Sequence, residues 1–201
     1  MRKLMVLENV TLDGVMQAPG GKDEDRRGGF EHGGWSGAYN DHVKMQVMGE
    51  GMSRGADMVL GRWTYEKFYH VWAGRTDNPF TAVFERSQKY VASRTLRAPL
   101  AWVNSTLLEG DAADAVAALK QQPGLDLLVM GSGMLADSLM RRGLVDEYQL
   151  LIHPLVLGSG QRLFKEDAPR TPLRLVRSVP TTTGVIIATY EPAERTALAE
   201  V

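Results

Sequence analysis

Twice in this chain an apolar run stops at a glycine and gives way to a segment with helical patterning. The first junction is Leu60-Gly61-Arg62-Trp63-Thr64, following Ala56–Leu60; the second is Met130-Gly131-Ser132-Gly133-Met134, following Leu125–Met130. Short apolar strands that feed directly into helices point to a parallel sheet, because parallel neighbours need a crossover and that crossover is usually a helix.

The remaining elements agree. Residues 3–10 form an apolar strand, residues 38–53 a helix ended by Gly55, and Arg62 to about Val71 a second helix. Pro79–Ser87 makes a short helix, and Lys89–Ala92 and Leu100–Asn104 make strands. Asp111–Gln122 is the clearest helix, with Asp111 as cap and Pro123-Gly124 as stop. Ser132–Arg142 is helical, and Tyr148–Ile152, Leu173–Val179 and Val185–Tyr190 are strands, the last two an antiparallel hairpin across Pro180–Gly184. The expected fold class is α/β: a mixed, mostly parallel sheet covered on both faces, in one domain over residues 1–192, with 193–201 an exposed tail. Residues 12–37 are the exception, with Gly20-Gly21, Gly28-Gly29 and Gly33-Gly34 in an irregular stretch. It is either disordered or a functional lid, and Phe30 and Trp35 as apolar anchors favour the lid.

Composition narrows function by exclusion. A formal net charge of -1 gives no overall field toward nucleic acid or an anionic membrane. The absence of cysteine removes disulfides, thiolate metal sites and thiol catalysis, and fits a reducing, cytoplasmic setting. The basic-then-apolar start, Met1-Arg2-Lys3-Leu4-Met5-Val6-Leu7, meets Glu8, Asn9 and Asp13 too soon for a signal peptide, and no run is long enough to span a membrane. The histidines at 32, 42, 70 and 153 lack ligand spacing, so no metal site is expected, and no G-x-S-x-G elbow is present.

Helix N-termini present unpaired N–H groups and a positive dipole end, both suited to phosphate, and glycine lets a ligand approach the backbone. Two such junctions at strand ends could hold one dinucleotide, or could serve tight packing alone. Gly131-Ser132-Gly133-Met134-Leu135-Ala136 satisfies G-x-G-x-x-A, but no acidic strand end follows about 20 residues later, so it reads as a pyrophosphate turn in a different fold. Arg62 and the Ser93-Arg94-Thr95 trio offer the guanidinium and hydroxyl donors that a 2′-phosphate wants, or are solvated polar turns. Asp13-Gly14 is a turn after the first strand, or part of a site under the glycine-rich segment. Pro154–Gly160 either lines a pocket or shapes a bend.

Taken together these stretches resemble the dihydrofolate-reductase-like group that includes the C-terminal reductase domain of the bacterial riboflavin-biosynthesis deaminase-reductase. The resemblance rests on Thr11-Leu12-Asp13-Gly14-Val15-Met16, Gly61-Arg62-Trp63-Thr64-Tyr65-Glu66, Val91-Ala92-Ser93-Arg94-Thr95-Leu96, Val129-Met130-Gly131-Ser132-Gly133, Leu144-Val145-Asp146-Glu147-Tyr148, Pro154–Gly160 and Leu163-Phe164, in the family's order. It implies a three-layer αβα fold and NADPH along the sheet's C-terminal edge. By similarity Gly61, Arg62 and Thr64 meet cofactor phosphates, Ser93, Arg94 and Thr95 the adenosine 2′-phosphate, and Gly131, Ser132, Gly133, Met134 and Leu135 the pyrophosphate. Asp13, Gly14 and Val15 would lie over the nicotinamide, and homodimers would form through roughly Tyr148–Phe164. Two departures stand out. The chain lacks the upstream zinc deaminase, and Asp41 and Glu50 do not match well the helix carboxylate that assists protonation in dihydrofolate reductases. The proton donor is left among Asp13, Glu8 and a water. The expected function is an NADPH-dependent reductase of a small heterocyclic or sugar-linked substrate. A nucleotide-binding sensor without turnover and a flavin-dependent reductase are the alternatives.

Overall fold

The computed structural model describes residues 1–193, so the expected tail from 194 onward lies outside the described residues. Its contacts group into two compact units, Met1–Leu4 with Val47–Leu144 and Met5–Gln46 with the chain from Val145.

In the first unit, strands β2 (Asp57–Gly61), β3 (Lys89–Ala92), β4 (Ser105–Leu108) and β5 (Leu127–Met130) run parallel in the order β4-β3-β2-β5. Helices α2 (Arg62–Trp72) and α3 (Pro79–Arg86) connect β2 to β3, α4 (Ala112–Gln121) connects β4 to β5, and α5 (Gly133–Arg141) follows β5. Met58, Leu60, Tyr65, Phe84, Val91 and Trp102 form a core cluster. Lys89 is fully buried in this unit. Its Nζ donates to the carbonyls of Phe84 (2.6 Å) and Ser87 (2.7 Å) and lies 4.5 Å from the Trp102 ring centroid. Burial pulls its pKa down to about 8, against the opposing pull of Glu85. Arg2 is likewise buried, paired with Asp57 and donating to the Leu125 carbonyl, so the basic start of the chain is an internal anchor.

One expected strand is corrected. Leu100–Asn104 is a bend and turn, and β4 begins at Ser105. Pro99 cannot donate to a ladder and Asn104 is left-handed (φ 55°), while the Trp102 side chain is buried and its backbone N–H donates to Tyr65 Oη at 2.8 Å. Apolar character there marks a plug in the core, not a strand.

In the second unit, β1 (Leu4–Thr11, from Met5 on) pairs parallel with β6 (Glu147–His153); β8 (Ile186–Pro192) pairs antiparallel with β6 and with β7 (Leu173–Pro180). The C-terminal hairpin is therefore present, and the eight strands are mostly parallel with antiparallel pairing confined to their C-terminal members. Helix α1 (His42–Arg54) links the two units in sequence, starting four residues later than expected. Asp41 caps it, accepting from Lys44 N–H at 2.7 Å, and also accepts the Thr182 N–H and hydroxyl at 2.6 Å each. The Thr182 hydroxyl is the main cause that holds the Asp41 pKa near 2. That carboxylate is structural.

The glycine-rich stretch is ordered. Phe30 and Trp35 pack with Val15 and Ala18, backed by Leu155 and Leu157. Buried Gln17 joins the pieces: Nε2 donates to the carbonyls of Asp25 (3.3 Å) and Arg27 (2.9 Å), and Oε1 accepts from Gln161 N–H at 2.9 Å. A Cβ on Gly33 would stand 2.4 Å from the Lys22 carbonyl oxygen, so this glycine permits close packing of two backbones.

Candidate functional site

Because β3, β2 and β5 are parallel neighbours, their C-terminal ends place Ser93-Arg94-Thr95, Gly61-Arg62 and Gly131-Ser132-Gly133 along one edge of the first unit. The two glycine junctions touch. Gly61 N–H donates to Ser132 Oγ at 2.8 Å, and a Cβ on Gly131 would lie 3.1 Å from Thr64 Cγ2. Gly131 and Ser132 are both left-handed (φ 65° each), a strained conformation for serine of the kind that concentrates at ligand sites.

The helix caps separate these junctions from the other helix starts. Asp41, Asn78 and Asp111 accept backbone N–H groups at the starts of α1, α3 and α4. Neither α2 nor α5 has a side-chain cap, since Gly61 carries no side chain and Ser132 spends its hydroxyl on Gly61. Two adjacent helix N-termini thus keep donors for an anion.

The side chains here differ in task. Arg62 is half-exposed and paired with Glu66 at 3.5 Å, a weak surface contact that a phosphate can outcompete. Arg94 is exposed and makes no ion pair among the described residues. Ser93 Oγ accepts from Thr95 N–H (3.1 Å) and Leu96 N–H (3.0 Å), setting the turn that presents Arg94. Met134 is exposed whereas Leu135 is buried, so Leu135 can offer a ligand only its backbone.

The expected substrate-end residues fall in the second unit. Gly14 is left-handed (φ 81°), and Val15 N–H donates to Thr11 Oγ1 at 3.0 Å. The Asp13 carboxylate accepts from the Thr11 hydroxyl (2.6 Å), Gly158 N–H (2.8 Å) and Leu157 N–H (3.2 Å). These bonds, the Thr11 hydroxyl first, lower its pKa. Asp13 is therefore an ionised clasp that ties the β1 turn to the Pro154–Gly160 segment, and a carboxyl held ionised is a poor acid.

A further polar cluster in this unit escaped the sequence reading. His153, at the end of β6, is fully buried, with Nε2 3.0 Å from Asn9 Oδ1 and Nδ1 without a hydrogen-bond partner. Trp35 and Tyr39 meet it edge-on, with ring centroids at 5.0 and 5.3 Å. Burial, helped by the Lys44 charge, drives its pKa down to about 4, so it is neutral. Lys44 is itself only 7% exposed, and burial lowers its pKa despite the attraction of Asp41. The available signal was a lysine at 44 on the same α1 stripe as Val47 and Met48. Among the described residues no group of three or more potential ligands could hold a metal, and no helix is long and apolar enough to cross a membrane.

Comparison with known proteins agrees with this architecture. The RibD C-terminal domain family pattern matches residues 2–187. The uncharacterized protein YyaP of Bacillus subtilis (strain 168) is 33% identical over 118 residues, 57% of this chain and 60% of that protein. YwjB of the same organism is 33% identical over 122 residues, 59% of this chain and 63% of that one. Each match thus spans less than two thirds of the relative's length. Among solved structures, a pyrimidine reductase-like protein of Corynebacterium diphtheriae superposes with TM-score 0.61 at 14% identity, covering 96% of this chain and 92% of that one. Dihydrofolate reductase of Enterococcus faecalis, complexed with NADP(H), superposes with TM-score 0.61 at 14% identity, covering 96% and 97%. At such identities the likeness shows the fold, which is dihydrofolate-reductase-like.

Proposed function

We propose, from the premise that this chain belongs to the RibD C-terminal domain family, that it is an NADPH-dependent reductase acting on a small heterocyclic or sugar-linked substrate, similar to the riboflavin-pathway 5-amino-6-(5-phosphoribosylamino)uracil reductase. One observation carries the cofactor reading: among the described residues, the two α-helices that start without a side-chain cap are the two at the glycine junctions, on adjacent parallel strands. Their free N–H groups suit a pyrophosphate. Gly61, Arg62 and Thr64 from one junction, with Gly131, Ser132, Gly133, Met134 and Leu135 from the other, would hold it. Ser93, Arg94 and Thr95 would take the adenosine 2′-phosphate, where a guanidinium favours NADPH over NADH. Asp13, Gly14 and Val15 would serve the nicotinamide end, with Asp13 as organiser of its loop.

NADPH supplies hydride when bound; the chain's own residues bind and orient it. Exposed Leu175 and Val176 on β7 and Phe164 support a homodimer, and the lack of cysteine supports a cytoplasmic setting. The second reading, a sensor that binds NADPH without turnover, draws on Asp13 being engaged as a clasp. Loss of NADPH absorbance with 5-amino-6-(5-phosphoribosylamino)uracil or a dihydropteridine as acceptor separates the two. Oxidation dependent on acceptor is expected; saturable binding with no oxidation by any acceptor favours the sensor.

A further inference from the structure

Within the second unit, the strip Gln161-Arg162-Leu163 runs back along the turn that follows β1. Met16 N–H donates to the Gln161 carbonyl at 2.9 Å, Val15 and Arg162 form an antiparallel bridge, and Leu163 N–H donates to the Gly14 carbonyl at 3.1 Å. These contacts fix Arg162 beside the C-terminal end of β1, the end of a parallel strand at which ligands bind. Arg162 Nε donates to the Asp13 carbonyl at 2.9 Å, and its arm lies over Gly14, where a Cβ would stand 3.9 Å from Arg162 Cδ. Although anchored in this way, the side chain is 45% exposed. Its Nη2 is 4.0 Å from Asp13 Oδ2, beyond hydrogen-bond reach. That carboxylate is already served by the Thr11 hydroxyl and by the N–H groups of Leu157 and Gly158. The Nη1–Nη2 edge, the flat side that meets an oxyanion with two parallel bonds, thus makes no hydrogen bond among the described residues. Arg162 is preceded by Gly158-Ser159-Gly160, exposed throughout. Successive N–H groups entering that loop already converge on one carboxylate, that of Asp13, and the Ser159 N–H and hydroxyl that come next are unbonded among the described residues.

We propose that Arg162 and the loop 158–160 are a recognition site for an oxyanion, the phosphate monoester or carboxylate of a small molecule. All of its parts belong to the second unit, so the site is separate from the nucleotide reading of the two glycine junctions. An arginine that serves only to offset Asp13 has no use for its Nε anchor, since a surface pair at 4.0 Å contributes little. A guanidinium held at Nε with its outer edge open is arranged in advance for a two-bonded anion, and it loses less freedom when that anion arrives. The charge of Asp13 is taken up by donors of its own, the Thr11 hydroxyl and the Leu157 and Gly158 N–H groups, which leaves the Arg162 charge for the incoming group.

Proton–nitrogen correlation spectra of the full chain, titrated with ribose 5-phosphate and separately with glutarate, test it, with ribose as the neutral control. Saturable shifts of the 158–162 amides and of the Arg162 Nε–H are expected with at least one of the two anions and not with ribose. The anion that saturates at the lower concentration tells phosphate from carboxylate. Arg162→Ala is expected to weaken that binding about tenfold, the loss of one charged hydrogen-bonding partner. Arg162→Lys, which keeps the charge but not the fork, is expected to bind at least about threefold more weakly than the wild type. A wild type whose 158–162 amides do not respond to either anion, or a Kd unchanged in either variant, overturns the proposal and leaves Arg162 as part of the Asp13 clasp. No step of the test uses NADPH. A protein that binds neither nucleotide yet shows these shifts loses the cofactor reading and keeps this site.

Discussion

At the scale of single residues, charge and its partners decide most of what this chain can do. Arg94 stands exposed and without an ion pair among the described residues, so its removal leaves the fold intact and strips one charged contact from a 2′-phosphate. Arg94→Ala is expected to weaken NADPH by about 1.5–3 kcal/mol, ten- to hundredfold in Kd, and NADH by less than about twofold, as measured by calorimetry. Arg62→Ala, if Arg62 meets the shared pyrophosphate, weakens both cofactors equally. His153 sets an acid limit on stability. Its pKa is about 4 when folded against 6.5 as the reference for the unfolded chain, so the unfolded state binds the proton first. Stability is therefore full above about pH 6.5 and falls as pH drops toward 4, by up to about 3 kcal/mol, with Asp41 adding a further loss as its carboxylate protonates below 3.8. Denaturant midpoints at pH 7 and pH 4.5 check this, and a midpoint independent of pH would contradict it. The sequence hid both His153 and Lys44 for the same reason. Each is a lone polar residue on an apolar strand or helix face, and only the three-dimensional pairing of His153 with Asn9 and its approach to Lys44 give them meaning.

At the scale of elements, local chemistry was readable wherever propensity and packing agree. Lys89–Ala92 appears with its expected ends, and Asp111 caps α4 as its position implied. The reading failed at Leu100–Asn104, where Pro99, a left-handed Asn104 and an inward Trp102 override apolar character. The glycine-rich stretch could not be resolved from composition, since the same glycines serve a flexible tether and close-packed backbones. Gly160 tells these uses apart. It is left-handed (φ 120°), and a Cβ would lie 2.7 Å from Val15 Cγ1 and 2.8 Å from Phe30 Cε2. Gly160→Ala is expected to destabilise by about 2 kcal/mol or more in thermal unfolding, because the strain falls on a packed cluster. Gly37→Ala, with nothing within 4 Å and no positive φ, is expected to be neutral or slightly stabilising. Equal effects would mean that the 12–37 stretch is not held by that cluster.

At the scale of the whole molecule, the strand-to-helix rhythm made the α/β class legible, and the order of loose motifs pointed to the family that the pattern over residues 2–187 establishes. What no motif conveyed is that the two glycine junctions touch through Gly61 and Ser132, a contact made by residues 71 positions apart. Association belongs to this scale too. Leu175 and Val176 are each about half exposed on β7, and replacing both with Asp is expected to convert a dimer to a monomer in sedimentation without lowering Tm. A wild type that sediments as a monomer contradicts the dimer.

The cofactor is the claim on which the rest depends, and one calorimetric titration of the purified protein with NADPH and then NADH tests it directly. Saturable binding of NADPH, at least about tenfold tighter than NADH, is the predicted result. No binding of either nucleotide would contradict it, leaving the uncapped starts of α2 and α5 as packing turns on a dihydrofolate-reductase-like fold.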